Sequence, residues 1–215
     1  MKKIYHLLLC LFLFASCSPH LVTRGIKDKT SNYIVTTSGQ QINAPSVGIT
    51  GNAVSLDTAV YQLKNISAIK QGQAYYGVQN GLFYEGVYYG KLMLLRRATG
   101  TEYDMSNHTS HTVYSYFLQK QGQSDIVLLT NRSLIDRVQD NALALRKAKA
   151  ARIFANVNFV SLLTTLSGLG CVFLPYSNPI RKPAVTIGLF SMPTFLITLP
   201  IAALKRYKTV LVYNR

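Results

Sequence analysis

The pattern of hydrophobic and polar residues changes near residue 130. From Tyr33 onward, short runs rich in β-branched and aromatic residues alternate with glycine, asparagine and serine, which predicts a series of short strands. Beyond residue 130, leucine and alanine recur at loosely helical spacing among basic residues, and two long uncharged stretches follow. The pattern predicts an α+β fold: an N-terminal β-rich module (a small barrel or meander), then a helix, a C-terminal hydrophobic helical hairpin and a short terminal strand.

This pattern divides the chain into six predicted segments. In chain order they are a signal peptide (1–16), a lipid-anchored tether (17–32), the β-rich module (33–130), a basic amphipathic helix (131–152), the hydrophobic helical hairpin (153–204) and a basic tail with a strand (205–215). The terminal strand is predicted from the alternating run KTVLVY.

Residues 33–70 have the densest turn pattern. Two alternating runs flank Gly51-Asn52, a dipeptide typical of β-hairpins, and the short run Ile66–Ile69 follows. This order of a glycine turn, a hairpin and an I-x-x-I strand resembles the small SH3-like and Sm-like barrels. The resemblance implies a scaffold but no particular activity, because such folds carry many unrelated functions.

The N-terminal residues have the pattern of a secretory signal. Two lysines precede an apolar core from Leu7 to Phe14, which is too short to cross a bilayer, and small residues follow it. The run Phe14-Ala15-Ser16-Cys17 resembles the lipobox of Gram-negative bacterial lipoproteins, although leucine is more usual at its first position. An ordinary signal peptide and an N-terminal membrane helix are the alternatives.

The lipoprotein resemblance has consequences for location. It implies that Cys17 receives a diacylglycerol and becomes the mature N-terminus, so that the chain is anchored to a membrane of the cell envelope and faces the periplasm. Ser18, in a position where aspartate is the usual signal for retention in the inner membrane, implies the outer membrane. Several acyl chains would give stable anchoring where a single chain would not.

Two uncharged stretches predict the hydrophobic hairpin. Between Arg152 and Arg181 lie 28 residues without Asp, Glu, Lys or Arg, and between Lys182 and Lys205 lie another 22. Each is long enough to cross about 30 Å of hydrocarbon as a helix, and the proline-rich linker PYSNPIRKP between them predicts a turn. The hairpin could therefore span a membrane, lie within one leaflet, or form a soluble pair packed on the β-rich module or on a second copy.

Basic residues flank the hairpin, and the formal net charge of the chain is +15. Beyond a secretion signal, lipid phosphates are nearer partners than nucleic acid, so we predict membrane lipids as partners and no nucleic acid. The residues predicted to contact the membrane surface are Arg146, Lys147, Lys149, Arg152, Lys205, Arg206 and Lys208. Only Arg181 and Lys182 lie in the linker, which reverses the usual excess of positive charge on the cytoplasmic side of a hairpin whose flanks are secreted.

One polar cluster contains residue types that bind metals. Glu102, Asp104, His108 and His111 lie close together in sequence, and His-x-x-His supplies two imidazoles. The spacing fits no zinc signature, and a polar hairpin tip is the ordinary interpretation. We therefore predict no metal and no cofactor.

The sequence contains no recognised catalytic signature. No G-x-S-x-G, P-loop or dinucleotide-binding glycine pattern occurs. Of the three cysteines, Cys10 leaves with the signal peptide, Cys17 is acylated, and Cys171 lies in an apolar stretch where a thiol is a poor nucleophile. The prediction is a non-enzymatic structural or assembly component of the cell envelope, with another envelope protein or a second copy as a further candidate partner.

A second functional hypothesis comes from three aromatic pairs between Tyr75 and Tyr89. On an exposed β surface they could capture a lipid, glycan or peptide, in a pocket lined by Tyr84, Tyr88 and Leu94. If they only fill a β core, one member of each pair should be buried and its neighbour exposed, because successive side chains of a strand point to opposite faces. The exposure of these rings therefore tests the binding hypothesis.

Overall fold

A computed structural model describes residues 23–57, 59–104 and 109–215. These residues form an α+β structure, as predicted, with two antiparallel sheets followed by helices. The predicted signal peptide, Cys17, Ser18 and His108 lie outside the described residues.

Eleven strands occur in the described part of the chain. In chain order they are β1 (Asn32–Thr36), β2 (Gln41–Ala44), β3 (Gly48–Thr50), β4 (Ala53–Leu56), β5 (Ala59–Gln62), β6 (Ile66–Gln71), β7 (Ala74–Gln79), β8 (Leu82–Tyr88), β9 (Leu92–Asp104), β10 (Thr109–Lys120) and β11 (Ile126–Leu128). The larger sheet has the order β11-β10-β9-β8-β7-β6-β1-β2, and the smaller has the order β3-β4-β5. From β6 onward, strands that follow each other along the chain are neighbours in the larger sheet, so this part is a meander, one of the two predicted arrangements.

The smaller sheet begins with the predicted hairpin. Thr50 of β3 pairs with Ala53 of β4 across the turn, where Gly51 has a φ of 56° that favours glycine. A hydrophobic core joins the two sheets, because Ile34 and Ile69 of the larger sheet cluster with Val54 of β4. Residues 33–70 are thus divided between two sheets, and this arrangement does not confirm the SH3-like or Sm-like resemblance.

The long strands β9 and β10 extend beyond the rest of the larger sheet. β8 pairs with β9 as far as Arg96, and β11 pairs with β10 as far as Phe117. Past these residues β9 and β10 pair with each other, out to Asp104 and Thr109. The end of this two-stranded ribbon carries part of the polar cluster formed by Glu102, Asp104, His108 and His111.

Three helices follow the sheet: α1 (Asn131–Arg137), α2 (Ala142–Gly170) and α3 (Arg181–Tyr213). The Thr130 hydroxyl caps α1 by accepting from the Ser133 amide, and the Asn141 side chain caps α2 by accepting from Ala144. A short 3-10 turn, Cys171–Phe173, ends α2 before the proline-rich linker. The predicted hairpin comprises α2 from residue 153 onward, the linker, and α3 as far as residue 204.

The first turns of α2 and the last turns of α3 form the base of the hairpin. This base packs into the core of the β-rich module. A cluster of buried side chains joins one face of the larger sheet to all three helices. Its members are Val87, Leu92, Leu94 and Leu118 from strands β8 to β10, with Leu134, Val138, Ala144, Ala148, Val210 and Tyr213 from or beside the helices. The first and last turns of the hairpin are therefore held by the sheet, and the segment between them extends away from this core.

Two predicted segment boundaries were wrong. The basic helix and the first uncharged stretch are one helix, α2, without a break at residue 152. The predicted terminal strand is instead the last turns of α3, in which Thr209, Val210 and Tyr213 are buried. Extending an existing helix fixes one residue for each hydrogen bond gained, so the alternating run continues the helix and places Val210 and Tyr213 against the sheet.

The predicted tether is packed on the sheet for part of its length. Thr23 is buried and donates its hydroxyl proton to the carbonyl of Gly86 at 2.8 Å. Arg24 forms a parallel bridge with Tyr88. The residues from 27 to 30 are exposed. Only six residues of the predicted tether, 17–22, precede Thr23.

Candidate functional site

The centre of the hairpin is a close contact between two glycines. A Cβ atom added to Gly168 would lie 2.5 Å from the Cα atom of Gly188 and 2.5 Å from the carbonyl oxygen of Ala184. A Cβ atom on Gly188 would lie 2.8 Å from the Cα atom of Gly168. Side chains do not fit at such distances from backbone, so α2 and α3 meet backbone to backbone. Small residues allow the same close approach between membrane helices.

Polar side chains of the hairpin point towards the opposite helix. The hydroxyl oxygens of Thr165 and Ser191 are 2.7 Å apart. Asn158 donates from Nδ2 to the carbonyl of Phe195 at 2.8 Å and to the Thr198 hydroxyl at 3.1 Å. Thr165 and Thr198 are both buried. Asn158 and Thr165 of the first uncharged stretch are therefore bonded to α3 inside the helix pair.

The outward faces of the hairpin are apolar. Several large apolar side chains on these faces are between 58 and 78% exposed, among them Phe159, Val160, Leu166, Ile187, Phe190 and Ile197. Outward threonines bond to their own helix: Thr164 donates to the carbonyl of Val160, and Thr186 to that of Lys182, both at 2.9 Å. This distribution of polar groups inside and apolar groups outside is the reverse of that in a water-soluble helix pair.

Both long helices have the length and composition needed to cross a membrane. The span 142–173 has a mean hydropathy of 1.4 in its most apolar window, and the span 181–213 has 1.9. Only 11% and 17% of those windows are buried inside the protein. Length and apolar composition are also found in the core helices of soluble proteins, but such helices are mostly buried.

The basic residues predicted to contact a membrane surface fall into two groups. Five of them are exposed around the base of the hairpin: Arg146, Lys147, Lys149, Arg152 and Lys208. The other two are half-buried. Lys205 places its Nζ 5.2 Å from the centroid of the Phe154 ring, and Arg206 donates from Nε to Asn131 at 2.9 Å. Desolvation lowers the pKa of Arg206. The structure thus gives Arg206 a role in joining α3 to α1.

The end of α3 is fastened to the sheet by Asn214. Its Oδ1 accepts from the Leu92 amide at 2.9 Å, and its Nδ2 donates to the Leu92 carbonyl at 2.7 Å. The side chain thus satisfies both backbone groups of a strand residue. Nothing in the sequence pattern indicated this contact, because the two residues are 122 positions apart.

A second polar contact joins the hairpin base to the sheet. Oδ2 of Asp140 accepts from Lys120 Nζ at 2.7 Å and from the Tyr213 hydroxyl at 2.8 Å. The hydrogen bond from Lys120 is the main reason why the pKa of Asp140 is lowered, and Tyr213 adds to it. The same carboxylate raises the pKa of Lys120. The base of the hairpin is therefore oriented by groups from the sheet, the loop before α2 and the last turn of α3.

The tip of the hairpin exposes aromatic and basic residues. Phe173 is 92% exposed and Tyr176 is 86% exposed. The guanidinium carbon of Arg181 lies 3.5 Å from the centroid of the Tyr176 ring. Lys182 follows and is exposed. Charge and aromatic rings thus occur at the tip, and charge occurs again at the base, with the uncharged part of α3 between them.

The aromatic pairs of the sheet do not form an exposed platform. Tyr75 and Tyr84 are buried, and their neighbours Tyr76 and Phe83 are half-buried. Tyr88 and Tyr89 are also half-buried. The first two pairs thus alternate between a buried and a half-buried ring, whereas the third pair does not alternate, and every half-buried ring packs against a core cluster instead of lying exposed.

The polar atoms of these rings are bonded inside the module. The hydroxyls of Tyr33 and Tyr89 are 2.9 Å apart, and Tyr75 donates to Gln119 at 3.2 Å. Burial is the main reason why the pKa of Tyr33 and that of Tyr75 are raised. Leu94 belongs to the cluster beneath the helices, whereas Tyr84 belongs to a different cluster, so they do not line a common pocket.

The polar cluster with metal-binding residue types lies at the end of the β9–β10 ribbon, and three of its four residues are in the described part of the chain. Glu102 pairs with His111 across the β9–β10 ribbon, and Asp104 pairs with Thr109. The Nε2 atom of His111 lies 3.2 Å from the Thr109 hydroxyl. His108 lies outside the described residues. Among the described residues, no group of three or more His, Cys, Asp or Glu side chains could hold a metal ion.

The fold and the hairpin define the class of this protein: an α+β chain whose β-rich module carries a helical hairpin with an apolar exterior. No protein-family model matches the chain, no curated protein matches it in sequence, and no solved structure matches it in fold.

Proposed function

We propose that this chain is a lipid-anchored cell-envelope protein with a non-enzymatic structural or assembly role. Its hairpin lies in a bilayer and its β-rich module stands on the periplasmic surface. The observation that supports this proposal is the reversed polarity of the hairpin, in which Asn158, Thr165 and Ser191 bond between the helices while large apolar side chains are exposed.

Water is an unfavourable surrounding for this exterior. Burying apolar surface is worth about 25 cal/mol per Å², so a row of exposed phenylalanine, isoleucine and leucine side chains represents a large free energy gained on entering hydrocarbon. A soluble buried pair would instead bury these side chains against the module. Bonds inside the pair also suit a bilayer, where polar groups have no water as a partner.

The spacing of charges favours a hairpin that spans the bilayer. The 22 uncharged residues between Lys182 and Lys205 rise about 33 Å as a helix, close to the thickness of the hydrocarbon core. A hairpin confined to one leaflet would place Arg181 and Lys182 in the middle of the hydrocarbon, at a cost of several kcal/mol. Spanning places them at the far headgroups, with Tyr176 in the interfacial region that aromatic residues prefer.

The proposed acyl anchor is compatible with this position. Thr23 is fixed beside Gly86, and Val87 belongs to the same buried cluster as Val210 and Tyr213 of the hairpin base. Cys17 lies six positions before Thr23, and a chain of that length reaches at most about 20 Å. An acylated Cys17 therefore enters the membrane close to the hairpin base. The lipobox-like run and Ser18 favour the outer membrane. The excess of basic residues at the flanks of the hairpin is compatible with secretion of those flanks, because a translocated module of this size can override the charge of short loops.

The proposal is tested by removing the acyl anchor from the full chain. With Cys17→Ser, radiolabelled palmitate should no longer be incorporated. With residues 1–17 replaced by a cleavable secretion signal that is not acylated, the protein should stay in the membrane pellet after an alkaline carbonate wash. Incorporation at the unmodified level would contradict the lipid anchor. Release of folded protein by the wash would contradict the embedded hairpin, and would indicate that another envelope protein or a second copy covers its apolar faces.

A charge placed in the middle of α3 makes the test sharper. Met192 is 43% exposed and lies about 15 Å from Lys182 and about 20 Å from Lys205 along the helix. In the form with the cleavable, non-acylated signal, Met192→Arg should cost about 3 kcal/mol of insertion free energy and weaken retention. The matched control is Val60→Arg, which adds the same charge at a 71% exposed site on β5 and should leave retention unchanged.

A further inference from the structure

The base of α2 bears a shallow groove that combines basic and apolar walls. Its volume is about 500 Å³. The residues that line it are Ala142, Leu145, Arg146, Lys149, Ala150 and Ile153. The two cations are three positions apart and therefore lie on the same side of the helix. The groove thus presents two positive charges next to aliphatic side chains.

No acidic group neutralises these cations within the described part of the chain. The three ion pairs found there join Arg96 to Glu85, Lys120 to Asp140 and Arg137 to Asp125. Arg146 and Lys149 belong to none of them, and both are exposed. An anion that accepts from both side chains would form charge-assisted hydrogen bonds, which are stronger than those between neutral groups.

The groove continues without interruption onto the apolar exterior of the hairpin. Ile153 closes the groove and is 63% exposed, and Val157 and Val160 follow on the same side, 42% and 61% exposed. A ligand that fits this surface has a negatively charged head and a hydrocarbon chain. A soluble phosphate would use only the first part of the surface.

We propose that this groove binds an anionic phospholipid, with the phosphate on Arg146 and Lys149 and an acyl chain along Ile153, Val157 and Val160. The inference rests on the proposed insertion of the hairpin. Insertion places Arg152, and with it the groove at the base of α2, at the level of the lipid headgroups. The hairpin thereby selects negatively charged lipids as its immediate neighbours.

The test measures lipid association with the full-length protein in vesicles. Spin-labelled phosphatidylglycerol and spin-labelled phosphatidylcholine are compared by electron paramagnetic resonance, in which lipids in contact with the protein give a motionally restricted component. We expect phosphatidylglycerol to be favoured over phosphatidylcholine by about fivefold or more, since each cation near an anionic surface contributes about that factor. The double variant Arg146→Gln/Lys149→Gln should lower this ratio severalfold, and what remains is the share of Lys147, Arg152 and Lys208, which are exposed at the base outside the groove.

The control removes two charges elsewhere. Lys29→Gln/Lys64→Gln changes the net charge equally, at one exposed position of the tether and one of the β-rich module, and should keep the preference. A restricted component of equal size for both lipids would overturn the groove while leaving the embedded hairpin intact. Absence of a restricted component for either lipid would overturn the proposed function itself. Loss of the preference on adding glycerol phosphate would mean that the groove accepts any phosphate, and would overturn its assignment to a lipid.

Discussion

Alanine should destabilise the hairpin at Gly168 but stabilise it at Gly170. Both glycines belong to α2 and are two residues apart. By helix propensity alone, alanine is favoured over glycine at either position by roughly 0.5–1 kcal/mol. The surroundings differ, because a Cβ atom on Gly170 meets nothing within 4 Å, whereas one on Gly168 meets the backbone of α3. Comparing the two substitutions therefore separates the effect of the contact with α3 from the effect of helix propensity.

The size of the effect follows from the distances. A Cβ atom on residue 168 would lie 2.5 Å from backbone atoms of Gly188 and Ala184, so the helices must separate by about 1 Å to reach ordinary contact. Such overpacking costs about 1–3 kcal/mol. The same separation would stretch the 2.7 Å contact between Thr165 and Ser191 beyond hydrogen-bonding distance, at about 1 kcal/mol. After the gain in propensity, Gly168→Ala should lose about 1–3 kcal/mol.

The free energy of unfolding can be measured on the purified full-length protein in detergent micelles. Titration with sodium dodecyl sulfate, followed by far-ultraviolet circular dichroism, reports the loss of the helices. The midpoint should fall for Gly168→Ala and rise slightly for Gly170→Ala. Equal stabilisation by both substitutions would refute the backbone contact between α2 and α3, and with it the packing on which the polar interior of the hairpin depends.

Two further predictions concern the base of the hairpin. Asn214→Ala should lower the free energy of unfolding of the module by about 2 kcal/mol in guanidinium titrations, because the amide and carbonyl of Leu92 lose their partners. Asn214→Asp keeps the acceptor but sets a carboxylate oxygen against the carbonyls of Leu92 and Val210 at the end of α3, so it should lose at least as much; no change in either variant would contradict the contact. The pKa of Asp140 is lowered by folding, so its contribution to stability is present above the unfolded value of about 3.9 and is lost as the pH falls through the lower folded value. The contribution of Lys120, whose pKa is raised, is complete below about pH 10.4 and is lost as the pH rises through the folded value. In Asp140→Asn, the fall of the melting temperature at acid pH and at alkaline pH should both become smaller. A pH profile of the melting temperature identical to that of the unmodified protein would argue against the pairing of Asp140 with Lys120 and Tyr213.

The sequence alone was sufficient to predict the local features of this protein. Short runs with turn residues between them indicated the strands, and Gly51-Asn52 marked a hairpin that the structure confirms. The two uncharged stretches and the prolines between them indicated the hydrophobic hairpin. These features depend on neighbours within a few residues, or on composition over about 20 residues, and both can be read directly along the chain.

Tertiary structure decided which side of each helix faces its partner. Polar, small and apolar residues alternate around α2 and α3, so periodicity along one helix could not show that Thr165 and Ser191 meet, or that Phe190 points outward. The run at the C-terminus alternates like a strand, but it is helical because its buried residues pack on the sheet as the end of α3. The contact of Asn214 with Leu92 joins residues 122 positions apart. Such contacts depend on how the elements pack together, and no local pattern of residues records that arrangement.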